Sequence, residues 1–110
     1  MNLVRAILGG VPEISPVGYE KRYGNKEHII VDLRNSNMFD GGHIDGAINI
    51  PFSKLDKKLK ALPKNQPIVC VCQDGTRGRE ATDMLLKAGY SVTNLAGGMQ
   101  AWRKHSRSAR

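Results

Sequence analysis

Long apolar runs are missing from this 110-residue chain, aromatic residues are scarce at 5%, and acidic residues are outnumbered by basic ones, 10 to 17. No stretch approaches the roughly 20 apolar residues of a membrane-spanning helix, so no membrane partner is expected. Residues 1–10 are mildly apolar and carry Arg5, but the apolar part is too short and broken for a secretory signal. The chain therefore reads as cytoplasmic. Nucleic-acid surfaces interleave aromatic with basic side chains, and this sequence does not, which argues against nucleic acid despite a net charge of +7. Much of the basic excess falls in residues 54–64, the solvated face of a helix, and in residues 103–110, a segment expected to fray. Attraction of a small anion or an acidic partner remains compatible with that charge.

Cysteine is nearly absent too. Cys70 and Cys72 lie two positions apart and close almost no loop, which argues against a stabilising disulfide. Two thiols cannot complete a zinc site, and His28, His43 and His105 show no ligand spacing, so no metal and no cofactor are expected. Cys70 reads as a small buried strand residue, with a resolving role beside Cys72 as the alternative.

What is present is a single domain with an ordinary 40% hydrophobic content. Ile14 suits a short edge strand. Ser15-Pro16 forms an N-cap with proline at the first helical position, and the helix runs to about Tyr23. Residues 28–33 and 67–71 are short apolar runs that predict buried strands, and residues 47–50 and 92–95 read as two further strands. Residues 37–39 suggest a single helical turn. Ser53 is a candidate cap for a helix carrying Leu55, Leu59 and Leu62 on one face, stopped by Pro63. Ala81, Met84, Leu85 and Ala88 predict a helix over residues 78–88, ended by Gly89. Gly97-Gly98 opens a last helix with Met99 and Trp102, the latter a core or docking residue. Strands alternating with helices predict an α/β fold, a mostly parallel central sheet of about five strands with helices on both faces. The expected division is an extension over residues 1–12, a domain over 13–104 and a basic tail over 105–110.

The chain is organised around Cys72, where a strand hands over to a helix through Gln73, Asp74, Gly75, Thr76, Arg77 and Gly78. A tight turn entering a helix aims several N–H groups at one point, and the helix dipole adds positive potential there. Such a cradle favours a thiolate, the form that attacks, and stabilises charge on whatever becomes attached to it. Arg77 and Arg79 add cations at the rim. Arg34, just past the carboxyl end of its strand, is expected to face a ligand, because ligands bind at that end of open α/β sheets. Asp32 is expected to be a structural carboxylate that accepts backbone or arginine hydrogen bonds. His43, beside two glycines, reads as a structural hydrogen-bonder.

Cys-x-x-Gly-x-Arg between strand and helix resembles the active-site loop of the rhodanese sulfurtransferases. Val31-Asp32-Leu33-Arg34, the segment from Gly42 to Pro51, and the segment from Leu95 to Trp102 are similar to further blocks of that family, in the same order. The resemblance covers residues 14–102. It implies the rhodanese fold and a Cys72 persulfide cycle. Cys72 would take sulfur from a small anionic donor such as thiosulfate or a persulfide, then give it to cyanide or a thiol acceptor. Gln73 to Gly78 would hold the persulfide, and Arg77 and Arg34 would orient the donor. Related phosphatases have five residues between cysteine and arginine; here there are four, which favours sulfur over phosphate or arsenate. Asp74 stands where dedicated thiosulfate enzymes often carry a basic residue, and Gly78 where many relatives have serine. A persulfide carrier or sensor delivering sulfur to a protein partner is the alternative reading.

Overall fold

The computed structural model describes residues 10–108. Five strands, β1 (Glu13–Ile14), β2 (Ile29–Asp32), β3 (Ile48–Asn49), β4 (Ile68–Val71) and β5 (Val92–Leu95), form one sheet in the order β1-β5-β4-β2-β3. Every pairing is parallel. The helices are α1 (Pro16–Tyr23), α2 (Ser36–Asp40), α3 (Leu55–Lys58), α4 (Thr76–Lys87) and α5 (Gly98–Ser108), with 3₁₀ turns over Phe52–Lys54 and Leu59–Ala61. This is the parallel α/β sheet that the sequence predicts.

Side chains alternate across the strands, so each face of the sheet has its own core. Ile68, Cys70 and Cys72 pack with Val31 and Val92 against Leu55, Leu62, Ala81 and Leu85. That places α3 and α4 on one face. Ile30, Val69, Val71 and Leu95 pack with Tyr19, Ile44 and Met99 on the other, beneath α1 and α5. Trp102 is half-buried there, edge-on to Tyr19 at 5.7 Å between ring centroids, which fits a docking residue.

Several local expectations hold in detail. Ser15 caps α1 by accepting a hydrogen bond from the Gly18 N–H at 3.0 Å. Three differ. Ser53 is not a cap: Pro51, with φ −51°, holds the cap position two residues earlier, and the segment winds as 3₁₀, α and 3₁₀ pieces. Helix α4 begins at Thr76, two residues before Gly78, because Asp74 Oδ1 accepts the Thr76 N–H and supports an earlier first turn. The basic segment expected to fray is helical as far as Ser108, and His105 Nε2 lies 3.1 Å from Glu20 Oε2 on α1. Residues 1–9 of the expected extension and residues 109–110 lie outside the described residues.

Candidate active site

Strand β4 is central and buried along its whole length, and it delivers Cys72 to the carboxyl edge of the sheet. The Cys72 side chain is recessed, with the residue 3% exposed. Its Sγ accepts hydrogen bonds from the Gly75 N–H at 3.0 Å and the Gly78 N–H at 3.2 Å. Gly75 reaches this arrangement through a left-handed conformation, φ 100°. Asp74 points outward, where hydrogen bonds from the backbone amide and hydroxyl of Thr76 hold its carboxyl below the usual carboxylate range.

The carbonyls of the loop are held on its far side. Met99 N–H donates to the Cys72 carbonyl at 2.8 Å, and Gln100 N–H to the Gln73 carbonyl at 3.1 Å. The otherwise unpaired amides at the start of α5 thus clamp the strand end, while the amides of Gly75 and Gly78 face the sulfur. Contact this close needs Gly98. A Cβ there would sit 2.2 Å from the Cys72 carbonyl oxygen, on a residue whose φ is +55°. Gly98→Ala is expected to cost about 1–3 kcal/mol, as overpacking at a fixed site does, and to shift the loop; chemical denaturation and amide chemical shifts of Gly75 and Gly78 check it.

The rim is cationic. Arg77 is exposed, lies 4.9 Å from the Phe52 ring centroid and stands 3.6 Å from Glu80. Arg79 Nη1 reaches Glu13 Oε2 on β1 at 3.4 Å. Thr76 is exposed and Gln73 half-buried, its Oε1 lacking a hydrogen-bond partner among the described residues.

A rhodanese-like domain model matches residues 15–105. The chain belongs to the rhodanese-like sulfurtransferase family. It is 37% identical over 76 residues to a thiosulfate sulfurtransferase of Shewanella oneidensis, covering 68% of this chain and 75% of that one. A putative sulfur carrier protein of Bacillus subtilis is 30% identical over 94 residues, covering 84% of this chain and 51% of the relative, so the chain spans about half of that protein's length. Among solved structures, a human single-domain sulfurtransferase superposes with a TM-score of 0.77 at 27% identity, covering 86% of this chain and 97% of that one.

Within this rhodanese-like domain, Arg34 departs from expectation. Its side chain is 2% exposed and is held by Asp32: Nε donates to Oδ1 at 3.0 Å and Nη2 to Oδ2 at 2.8 Å. Nη2 also donates to the Gly42 carbonyl at 2.8 Å. Arg34 is therefore not a free cation facing a ligand. The carboxylate two residues earlier points to the same side of the chain and captures it, tying β2 to the loop after α2. Asp32 is the structural carboxylate expected, and it also accepts from the Arg34 backbone N–H at 3.1 Å. His43 donates from Nδ1 to the Phe39 carbonyl at 2.8 Å and stacks on the Phe39 ring.

Cys70 lies on the same face as Cys72, one layer deeper and fully buried. Burial pushes its thiol up to about 12; the Thr82 hydroxyl pulls the other way and the neighbouring Cys72 adds to the rise. Buried one layer beneath the loop, Cys70 fits the reading as a small strand residue and is poorly placed to resolve Cys72. Sequence reasoning missed Asn94, a fully buried amide beside the loop. An asparagine, a poor strand former, inside the strand segment Val92–Leu95 is the signal that marks it.

Proposed function

We propose that this protein moves a sulfane sulfur through a persulfide on Cys72. The observation that carries the reading is the pair of backbone amides aimed at a recessed Sγ where β4 meets α4. In the first half-reaction the Cys72 thiolate attacks the outer sulfur of thiosulfate. The new S–S bond forms as the old one breaks, and sulfite leaves with the electron pair. In the second, cyanide or a thiolate attacks the terminal sulfur, and Cys72 departs as thiolate. This is covalent catalysis of the ping-pong kind. Gly75 and Gly78 would stabilise the anionic terminal sulfur, with Gln73, Asp74 and Thr76 shaping the loop, and Arg77 would meet the donor's charge. The free thiols at 70 and 72 suit a reducing compartment, and the cytoplasm is the setting we propose.

Intact mass tests the reading. The protein should gain one sulfur atom from thiosulfate or a thiol persulfide and lose it to cyanide. No gain from either donor would sink it and direct attention to phosphate and arsenate. A second reading, a carrier that hands its sulfur to a protein, draws support from the Bacillus subtilis relative. Repeated thiocyanate production favours the enzyme; a single stoichiometric release favours the carrier.

Asp74 bears on the donor. Its carboxylate sits exposed at the loop, where it opposes an approaching dianion. Thiol persulfides should therefore serve better than thiosulfate. Asp74→Lys is expected to lower the apparent KM for thiosulfate by about two- to fivefold, the range of exposed charge interactions. An unchanged or raised value in steady-state kinetics would count against it.

A further inference from the structure

Asn94 is fully buried on β5, and its amide lies against the helix start that cradles Cys72. Both hydrogens of Nδ2 are used: one goes to the Gly75 carbonyl at 3.2 Å, the other to Glu13 Oε2 on β1 at 2.9 Å. Glu13 in turn accepts from Arg79 Nη1 at 3.4 Å. The oxygen Oδ1 has no hydrogen-bond partner among the described residues and rests on Gly78, where a Cβ would fall 1.9 Å away. A buried amide oxygen without a partner is destabilising, so packing alone is a poor reason for asparagine here. Its donor end is what the site uses.

We propose that Asn94 is a positioning residue for the sulfur cradle. The Gly75 carbonyl, which accepts the Arg79 N–H at 3.1 Å, takes a second hydrogen bond from Asn94, and that pins the Gly75–Thr76 peptide next to the one whose N–H, on the left-handed Gly75, meets Sγ. Gly78, whose N–H is the second donor to the sulfur, is glycine because the Asn94 amide fills the volume a side chain would take. The inference rests on Cys72 being the reactive thiol, and it concerns how readily that sulfur is held as thiolate.

Alkylation of Cys72 by iodoacetamide across a pH series tests it, with modification counted by intact mass. Cys70, buried and held as a thiol, stays silent while the protein is folded. Asn94→Leu keeps the volume and removes the donors. Its rate–pH curve should move to higher pH, and its rate at neutral pH should fall about three- to tenfold, the range of one ordinary hydrogen bond. Circular dichroism and Tm report whether the fold persists. A folded Asn94→Leu protein with the wild-type curve would overturn the proposal. Should that variant fail to fold, Glu13→Ala frees the far side of Asn94 from a partly exposed site. It should shift the curve in the same direction by about twofold, a fraction of one hydrogen bond; an unmoved curve there overturns the proposal equally. Alkylation needs no sulfur donor, so this result and the persulfide assay fail separately.

Discussion

Cys72→Ser is expected to gain no sulfur from any donor and to lose at least about a thousandfold in turnover, the scale on which removal of a covalent nucleophile acts. The fold should survive. Serine is nearly isosteric, and its oxygen can accept from the same two amides, at Gly75 and Gly78, that hold the sulfur. Steady-state thiocyanate production, intact mass and a melting curve together check the expectation. Turnover retained in a folded Cys72→Ser protein would move the chemistry elsewhere in the chain. The core thiol at Cys70 could not take it over, being fully buried and held in its neutral form.

The second large effect is on stability. Asp32 and Arg34 face each other with side chains 1% and 2% exposed, joined by paired hydrogen bonds. Asp32→Ala leaves a guanidinium buried without its counter-charge, which costs about 3–5 kcal/mol. A domain of this size has about 5–15 kcal/mol in total, so about a fifth or more of its stability should go, and urea denaturation should show the midpoint falling accordingly. The loss comes from an uncompensated charge and not from the pair's attraction. Asp32→Ala combined with Arg34→Met should therefore recover part of it. A double variant no more stable than Asp32→Ala would show that the hydrogen bonds to the Arg34 N–H and the Gly42 carbonyl matter more than the charge.

The outcome for Arg34 shows where sequence reasoning stops. Elements with a strong local cause were legible: Ser15-Pro16 starts α1, and the apolar run that ends at Val71 is β4. The cradle was legible as well, because strand, turn and helix signals converge on Cys72 within a few residues. Partner choice was not. Whether an arginine past a strand end faces a ligand or folds back on a carboxylate depends on the sheet's side-chain alternation and on a loop eight residues away. Ser53 failed for a related reason: it has the chemistry of a cap, but the preceding proline had already committed the backbone to a turn. Asn94 joins the loop across 19 residues and β1 across 81, separations that no local pattern encodes.

The depth of Cys70 also decides how the protein withstands oxidants. A sulfenic acid formed on Cys72 is rescued by condensation with a thiolate. The chain's other cysteine is fully buried inside the sheet, and burial pushes its thiol up, which makes it a poor partner for that step. Repair of an oxidised Cys72 then falls to thiols in the surroundings, so the protein's survival under peroxide depends on the reducing power around it.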